Sequence, residues 1–359
     1  MCSSSTGLRE GHSTHFLTGR SDLHLPLDRP AEELQMAHAF DHTPVLRDEV
    51  VSLFASVPAG VVVDATVGGG GHAAALLESY PALRIVGMDR DPAALDAARA
   101  RLSAFGDRAT LVRAPFSSLE SVTTDAGLHA LAGVLFDLGV SSPQLDVTER
   151  GFSFRRDGPL DMRMDPTQGV TAADLVNGLP QDALAALFRE NGEERLAGRI
   201  ARAVVQARPL TTTGQLSDVV ASAVPAAARR KGHPARRVFQ ALRIAVNDEL
   251  GQLAAALPVA LGLLVVGGVC AVISYHSGED RLTKEAFAQA ASGGCVCPPG
   301  LPCVCGAVAR HRLVFRGARK ASADEVAANP RSESARLRAV VRTVADDPGN
   351  RGGREDGER

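Results

Sequence analysis

The sequence predicts an α/β protein with a mostly parallel sheet and a separate block of helices. Apolar runs that end in an acidic residue indicate buried strands at 61–64, 84–89 and 132–137. Helical segments follow the first two runs after short connections, and this alternation is typical of a parallel sheet with helices on its faces. Between residues 148 and 242, in contrast, the chain shows helical periodicity and no apolar strand run.

The other elements are predicted from similar signals. Four consecutive glycines precede a helix over 72–79, and Asp91 caps a helix that has Pro92 in its first turn and extends to about residue 105. A helix that starts near Arg236 leads into the later strands. Further strands are predicted at 110–113, 269–275 and, as the last one, about 311–315, and helical periods in the insertion fall at 182–190, 193–207 and 214–223.

Composition indicates a globular protein. The chain has 359 residues, of which 45% are hydrophobic, and this excludes a chain that is disordered throughout. We expect disorder in a polar N-terminal extension at 1–40, which shows no secretory signal, and in the tail at 346–359. The apolar stretch 253–274 is long enough to span a membrane, but Pro258 and several glycines interrupt it. We therefore expect no membrane segment and a cytoplasmic location.

The distribution of charge differs between two predicted domains. Residues 41–147 and 242–345 are expected to form one discontinuous domain, into which 148–241 is inserted. The formal net charge of −2 gives no sign of nucleic-acid binding, yet residues 148–243 carry 15 Lys and Arg against 10 Asp and Glu. This excess favours an insertion that faces a polyanion, although a solvated helical face would show the same excess.

The segment from Asp64 to His72 joins a strand to a helix, and its glycines let the backbone approach a ligand at a helix N-terminus. Asp89 ends the next strand, where an acid accepts hydrogen bonds from the hydroxyls of an adenosine ribose. NAD and S-adenosylmethionine (SAM) both fit this arrangement. The pattern favours SAM, because Ala73 replaces the last glycine of the NAD fingerprint and Asp64 offers an acceptor for the methionine ammonium. A plain tight turn is the remaining alternative.

Residues after the third and fourth predicted strands indicate methyl transfer to an exocyclic amine. Phe116 is placed to cover an adenine, and Asp137 ends the fourth strand directly before a short polar and proline segment. Such a segment offers acceptors for the two N–H groups of an amine whose lone pair is delocalised into a base. We predict that the catalytic residues are Asp137, Ser141, Ser142 and Pro143.

Nine motifs occur in an order that resembles a known family. They include Gly-Gly-His at 70–72, Ser-Ser-Pro-Gln at 141–144 and Ser-Tyr-His-Ser at 274–277. The full set lies at 42–46, 64–72, 89–92, 137–145, 149–154, 157–165, 236–243, 247–250 and 274–277. Over residues 40 to 345 the sequence closely resembles the bacterial ribosomal RNA small subunit methyltransferase H family.

The resemblance implies a class I SAM-dependent methyltransferase fold, Rossmann-like, with a helical insertion after the fourth strand. It also implies an enzyme that forms N4-methylcytidine in the decoding region of 16S rRNA, within the small ribosomal subunit. Matched residue by residue, the motifs assign SAM binding to Gly70, Gly71, His72, Asp89, Phe116, Asp137 and Gln144, in addition to the Asp64 inferred above. The oligomeric state is left open, with a homodimer as one alternative.

RNA contacts are expected where the insertion rejoins the sheet. The densest basic cluster is there, and it consists of Arg229, Arg230, Lys231, Arg236 and Arg237. His276 ends a strand at the predicted active edge. It is compatible with contact to RNA and equally with a structural role.

Four of the six cysteines lie close together as Cys295-Val-Cys297 and Cys303-Val-Cys305. Four thiolates would suit Zn²⁺. However, the spacing is C-x-C rather than C-x-x-C, and three prolines fill the gap between the pairs. We therefore expect thiols in a surface loop rather than a metal site.

Overall fold

The computed structural model describes residues 43–226, 232–298 and 304–344, apart from the side chains of Ser142 and Pro143. Within these ranges one sheet contains the strands β1 (Gly60–Asp64), β2 (Leu83–Asp89), β3 (Ala109–Arg113), β4 (Leu131–Asp137), β5 (Leu264–Ser274), β6 (His311–Leu313) and β7 (Arg336–Arg342). The strand order is β3-β2-β1-β4-β5-β7-β6. Strands β1 to β5 pair in parallel, and β7 is antiparallel to both β5 and β6. The predicted α/β class with a mostly parallel sheet is confirmed.

Helices cover the sheet and form the insertion. Around the first four strands lie α1 (Arg47–Leu53), α2 (Gly71–Ser79), α3 (Pro92–Leu102), α4 (Leu119–Asp125) and the short α5 (Ser142–Asp146). The insertion follows, with α6 (Ala172–Gly178), α7 (Gln181–Glu190), α8 (Ala197–Gln206) and α9 (Thr213–Ala223). The chain returns to the sheet through α10 (Arg236–Asn247), α11 (Glu249–Leu263), α12 (Ser277–Ser292) and α13 (Ala323–Ala328).

Local sequence signals explain several helix starts. The Asp91 side chain accepts a hydrogen bond from the Ala93 N–H group at 3.1 Å, and Pro92 occupies the first turn of α3, as predicted. Capping boxes start α6 and α9, with Thr171 paired to Asp174 and Thr212 paired to Gln215.

Two predictions for the C-terminal half were wrong. The helix expected from near Arg236 into the apolar stretch is two helices, because Asp248 between α10 and α11 has a left-handed backbone (φ 49°). The strand predicted at 311–315 is not the last one, since β7 follows it. Strand β7 carries three arginines, which hid its apolar character, but Leu337 and Ala339 alternate with them and are buried. That two-residue period was the signal for the missed strand.

Three hydrophobic cores hold the molecule together. Alternate residues of the strands enter opposite faces of the sheet, so that Val62 belongs to one core and Val61 and Val63 belong to the other. A third core lies among α6 to α10, and all its buried members fall between Phe152 and Leu242. This separate core supports the division into a discontinuous sheet domain and an insertion at 148–241, which remains a proposal.

Some predictions fall on other parts of the chain. The extension at 1–40, the tail at 346–359, the cluster residues Arg229, Arg230 and Lys231, and Cys303 lie outside the described residues. Within the described ranges, no helix combines the length and the apolar character that a membrane span requires.

Candidate active site

A cavity of about 450 Å³ opens at the carboxyl ends of β1, β2 and β4. The loop after β1 forms one wall, together with Asp89 and Asp137 at the ends of their strands. The opposite wall comes from the insertion and α10, and it includes Phe152, Phe154 and Phe239. Parallel strands end at a common edge, and this brings together residues that are far apart in the chain.

Asp89 is held by the glycine loop. Its Oδ2 accepts a hydrogen bond from the Gly68 N–H group and its Oδ1 accepts one from the Asp91 N–H group, both at 2.9 Å. Burial raises the pKa of Asp89 to about 6, against the opposing effect of these N–H groups. The carboxylate is thus oriented toward the cavity and ionised at neutral pH.

Asp64 lies at the end of β1 and is only 1% exposed. It does not line the cavity itself, whereas Ala65 and Thr66 directly after it do. Burial raises its pKa to about 7, although nearby His72 lowers it in part. A carboxyl group in this state gains most from a cation placed beside it.

Asp137 is the centre of a polar network. The Tyr275 hydroxyl donates to its Oδ1 at 2.8 Å, and its own N–H group donates to Thr66 Oγ1 at 2.6 Å. Burial raises the pKa of Tyr275 well above its ordinary value, so Tyr275 remains a donor at neutral pH. His72 Nε2 lies 3.5 Å from Asp137 Oδ2.

Steric constraints explain why glycine occupies positions 70 and 71. Gly70 has φ 79° and caps α2 in a left-handed conformation, which residues with a side chain rarely adopt. A Cβ atom on Gly71 would lie 2.6 Å from Pro44 Cγ. The predicted Gly-Gly-His segment therefore forms a tight start to the helix, with Gly71 and His72 on the cavity wall.

Gln144 and Ser141 differ in their hydrogen bonding. Gln144 Nε2 donates to Asp91 Oδ2 at 2.9 Å, and its Oε1 accepts from the Ser141 N–H group at 3.0 Å. Both ends of the Gln144 amide are thus occupied within the protein. The Ser141 hydroxyl is buried on the cavity wall and makes no hydrogen bond to any described residue.

The remaining predicted residues divide between the cavity and the surface. Phe116 lies on the cavity wall and contacts Phe136 edge to face, with ring centroids 6.0 Å apart. Arg236 is exposed and lines the cavity, whereas Arg237 is exposed and donates to the Glu193 carbonyl at 3.1 Å. None of the described cysteines lines the cavity.

His276 lies on the cavity wall but has a structural task as well. Its side chain is 7% exposed and caps α12, and its Nε2 lies 3.1 Å from Glu279 Oε1. Burial alone would raise the pKa of Glu279, but the hydrogen bond and charge of His276, the charge of Arg243 and the Tyr275 N–H group together lower it. The role of His276 in RNA contact remains a prediction.

Arg150 and Asn247 were missed as site residues, although both lie in the motifs quoted above. Arg150 donates to Asp91 Oδ2 at 2.8 Å and to the Met164 carbonyl at 2.8 Å. Asn247 donates to the Met162 carbonyl and accepts from the Met164 N–H group, both at 2.8 Å. These bonds attach the insertion to the cofactor side of the cavity.

Comparison with known proteins identifies the family. The model of the MraW methylase family matches residues 39–343. The chain belongs to the MraW methylase family. A relative from Symbiobacterium thermophilum, called ribosomal RNA small subunit methyltransferase H, is 54% identical over 313 residues, which cover 86% of this chain and 98% of that protein. Proteins of the same name from Heliobacterium modesticaldum and Thermobifida fusca are 50% and 52% identical over 84% of this chain and 98% and 93% of theirs. This confirms the family resemblance seen in the motifs.

SAM is the cofactor of this methylase, and the residues present fit it. Asp89 presents a carboxylate on the cavity wall at the end of β2, and the αL turn at Gly70 starts α2 beside it. His72 is 5% exposed, and neither of its ring nitrogens makes a hydrogen bond within the described residues. Buried polar atoms without a partner on a cavity wall are expected where a ligand completes the site.

Proposed function

We propose that this MraW methylase transfers a methyl group from SAM to N4 of one specific cytidine in the decoding region of 16S rRNA. The observation that carries the proposal is the single cavity that joins two chemically different walls. One wall has the strand-end carboxylates Asp89 and Asp137, and the other has aromatic side chains of the insertion and α10. A polar cofactor and a flat base can therefore meet in one place.

The cofactor side is assigned to Asp64, Gly70, Gly71, His72, Asp89, Phe116, Asp137 and Gln144. When bound, SAM supplies a methyl group on a positively charged sulfur. Asp89 accepts hydrogen bonds from the ribose hydroxyls, and the buried charge of Asp64 favours the methionine ammonium. Phe116 covers the adenine. Gln144 also bridges Asp91 and the Ser141 backbone through one N–H group and its side-chain oxygen.

The substrate side is assigned to Asp137, Ser141, Ser142 and Pro143. The cytosine amine is a poor nucleophile, so the protein must hold its N–H groups and orient its lone pair. The unpartnered Ser141 hydroxyl supports a direct role in this task. Asp137 is already bound by Tyr275 and keeps one carboxylate oxygen near His72. No strong base is required before attack, since a methylated cytosinium readily loses its proton.

The RNA must present an unstacked base to reach this cavity. Bases in a helix are inaccessible to a buried site, so the target cytidine is flipped out or already unpaired. The names of the relatives support ribosomal RNA of the small subunit as the substrate. We assign phosphate contacts to Arg236 and Arg237, together with Arg229, Arg230 and Lys231, and a further RNA contact to His276. Such a substrate places the enzyme in the cytoplasm.

The test is methylation of small ribosomal subunits that lack the modification. The protein is incubated with isotopically labelled SAM, and the digested RNA is analysed by nucleoside mass spectrometry. We expect labelled N4-methylcytidine from one position, with no product on subunits that already carry the mark. Label in another nucleoside would contradict the proposed specificity. SAM binding with no transfer to any RNA would instead favour a non-catalytic RNA-binding protein built on this fold.

A further inference from the structure

The loop between α12 and β6 contains cysteines that the proposed methylation does not use. Its base is closed, because a Cβ atom on Gly293 would lie 2.4 Å from the Val308 carbonyl carbon and oxygen. Gly293 itself has φ 65° and ends α12 in a left-handed conformation. The two ends of the loop therefore lie next to each other, although one end follows α12 and the other leads to β6.

Cys295 and Cys297 are separated by one residue, and their sulfur atoms lie within 4.8 Å of each other. The intervening Val296 and Val304 are 85% and 89% exposed. Exposure of two valine side chains to water is unfavourable. In this loop it occurs together with the clustering of sulfur atoms from both arms of the loop.

The cluster has the dimensions of a metal site. The sulfur atoms of Cys295, Cys297 and Cys305 all lie within 4.8 Å of one another. The Cys295 and Cys305 sulfurs are 3.6 Å apart. Zinc–sulfur bonds of about 2.3 Å in a tetrahedral arrangement would place two sulfurs roughly 3.8 Å apart, so an ion could enter with little movement.

The surroundings favour thiolates. The Val304 N–H group donates to the Cys297 sulfur at 3.4 Å. Backbone N–H groups that donate to sulfur are a common second layer around metal-bound thiolates. In contrast, burial raises the pKa of Cys270 in β5 above the ordinary range of a thiol.

We propose that Cys295, Cys297 and Cys305 bind one zinc ion, with the fourth position completed by water or another ligand. Each thiol loses its proton to solvent when it binds, so the affinity rises with pH. The site lies in a loop outside the catalytic cavity, and its role is to hold the two arms of that loop together. The spacing alone had favoured thiols without metal, and the observed clustering of the sulfurs alters that interpretation.

The test measures metal content in the full-length protein. The chain is purified under reducing conditions with zinc supplied and then dialysed, and zinc is measured by elemental and native mass spectrometry. We expect about one zinc ion per chain. The variants Cys295→Ser, Cys297→Ser and Cys305→Ser should each lower the zinc content at least about tenfold at limiting zinc, because removal of one of three thiolates weakens the site strongly.

Two controls and a second metal separate this result from misfolding. Cys270→Ala removes a core thiol and Val296→Thr changes the same loop, and both should keep the zinc. Substituting cobalt for zinc in the wild-type protein should give thiolate-to-metal charge-transfer absorption. SAM affinity should be unchanged in all variants, so this test is independent of the proposed methylation. The proposal would be overturned if the reduced wild-type protein held no more zinc than the serine variants. A disulfide between Cys295 and Cys305 in place of bound zinc would overturn it as well.

Discussion

Asp89 has two tasks at the scale of a single residue. Its carboxylate accepts N–H groups from Gly68 and Asp91, so it shapes the glycine loop as well as facing the cofactor cavity. A side chain fixed in this way loses little conformational entropy when a ligand binds. We therefore expect the proposed ribose contact to be a strong determinant of affinity.

We expect Asp89→Ala to weaken SAM binding about ten- to a hundredfold, the usual effect of losing a charge-assisted hydrogen bond. Isothermal titration calorimetry measures this directly. Asp96→Ala is the matched control, because Asp96 is an exposed acid on neighbouring α3. An unchanged dissociation constant in Asp89→Ala would remove the ribose assignment.

The raised pKa values predict a pH dependence for SAM binding. Burial raises the pKa of Asp64 to about 7 and that of Asp89 to about 6, and the cofactor favours both ionised forms. Affinity should therefore fall, on the order of a hundredfold if binding needs both ionised forms, as the pH drops from about 7.5 to about 5.5. Asp64→Asn should move the midpoint of this fall from about 7 to about 6. A flat profile in the wild type would exclude the ionised carboxyls from binding.

The same raised pKa values have the opposite effect on the stability of the protein, which decreases as the pH rises. The folded protein holds protons on Asp64 and Asp89 at pH values where the unfolded chain has lost them. Their contribution to the free energy of unfolding therefore decreases as the pH rises from about 4 through about 6 to 7.

Ser141 should affect the rate of methyl transfer rather than cofactor binding. Its buried hydroxyl has no partner within the described residues, so Ser141→Ala should remove only the proposed bond to the substrate. We expect single-turnover methylation at saturating SAM to slow about ten- to a hundredfold. From the sequence, Ser142→Ala and Pro143→Ala should also slow it. Wild-type rates in all three variants would show that the amine is held elsewhere.

At the scale of an element, α10 connects recognition with catalysis. Its residues Arg236, Gln240, Arg243 and Asn247 follow the spacing of one helical face, and all four line the cavity. The other face, with Val238, Ala241 and Leu242, is buried in the core of the insertion. RNA bound along the exposed start of this helix would place a base near the catalytic edge.

We expect Arg236→Gln with Arg237→Gln to weaken RNA binding and to flatten its salt dependence by about 0.7–0.9 per lost phosphate contact. The plot of binding constant against salt concentration gives this slope. Arg199→Gln, on the exposed side of α8, is the control for an arginine elsewhere on the insertion. SAM affinity should stay the same. A slope that does not move would show that these arginines form a solvated face.

At the scale of the whole molecule, Asn247 joins the insertion to the sheet domain. It is 2% exposed and bonds to the backbone of Met162 and Met164, while its own carbonyl accepts from Arg90 at 2.9 Å. Asn247→Ala would leave buried backbone groups without partners. We expect a loss of about 1–3 kcal/mol in the free energy of unfolding, measured by denaturant titration with circular dichroism. Asn177→Ala, which breaks similar bonds to Leu210 within the insertion, is the comparison.

The two variants differ in their effect on activity. Asn247→Ala should also lower methylation of RNA, because it loosens the insertion where it forms one wall of the cavity. Asn177→Ala should lower stability with little effect on the methylation rate of the folded protein. Equal rates in both variants would show that the attachment at Asn247 serves stability alone.

The sequence by itself determined the sheet, the acids at its strand ends and the cofactor loop. Apolar runs, glycines and capping residues act within a few positions along the chain, and parallel strands must end at a common edge. Asp64, Asp89 and Asp137 could therefore be predicted to lie near one another. The missed strand β7 also alternates buried and less buried residues at its start, but its arginines concealed this pattern.

Tertiary structure alone decided the contacts between distant segments. Arg150 bonds to Asp91 across 59 positions, and Tyr275 bonds to Asp137 across 138. The clustering of Cys295 and Cys297 with Cys305 likewise depends on how Gly293 packs against Val308. Such pairs leave no periodic signal, because the two partners are far apart in the chain. Their pairing depends on how the insertion and the late loops pack against the sheet, and many residues jointly determine that packing.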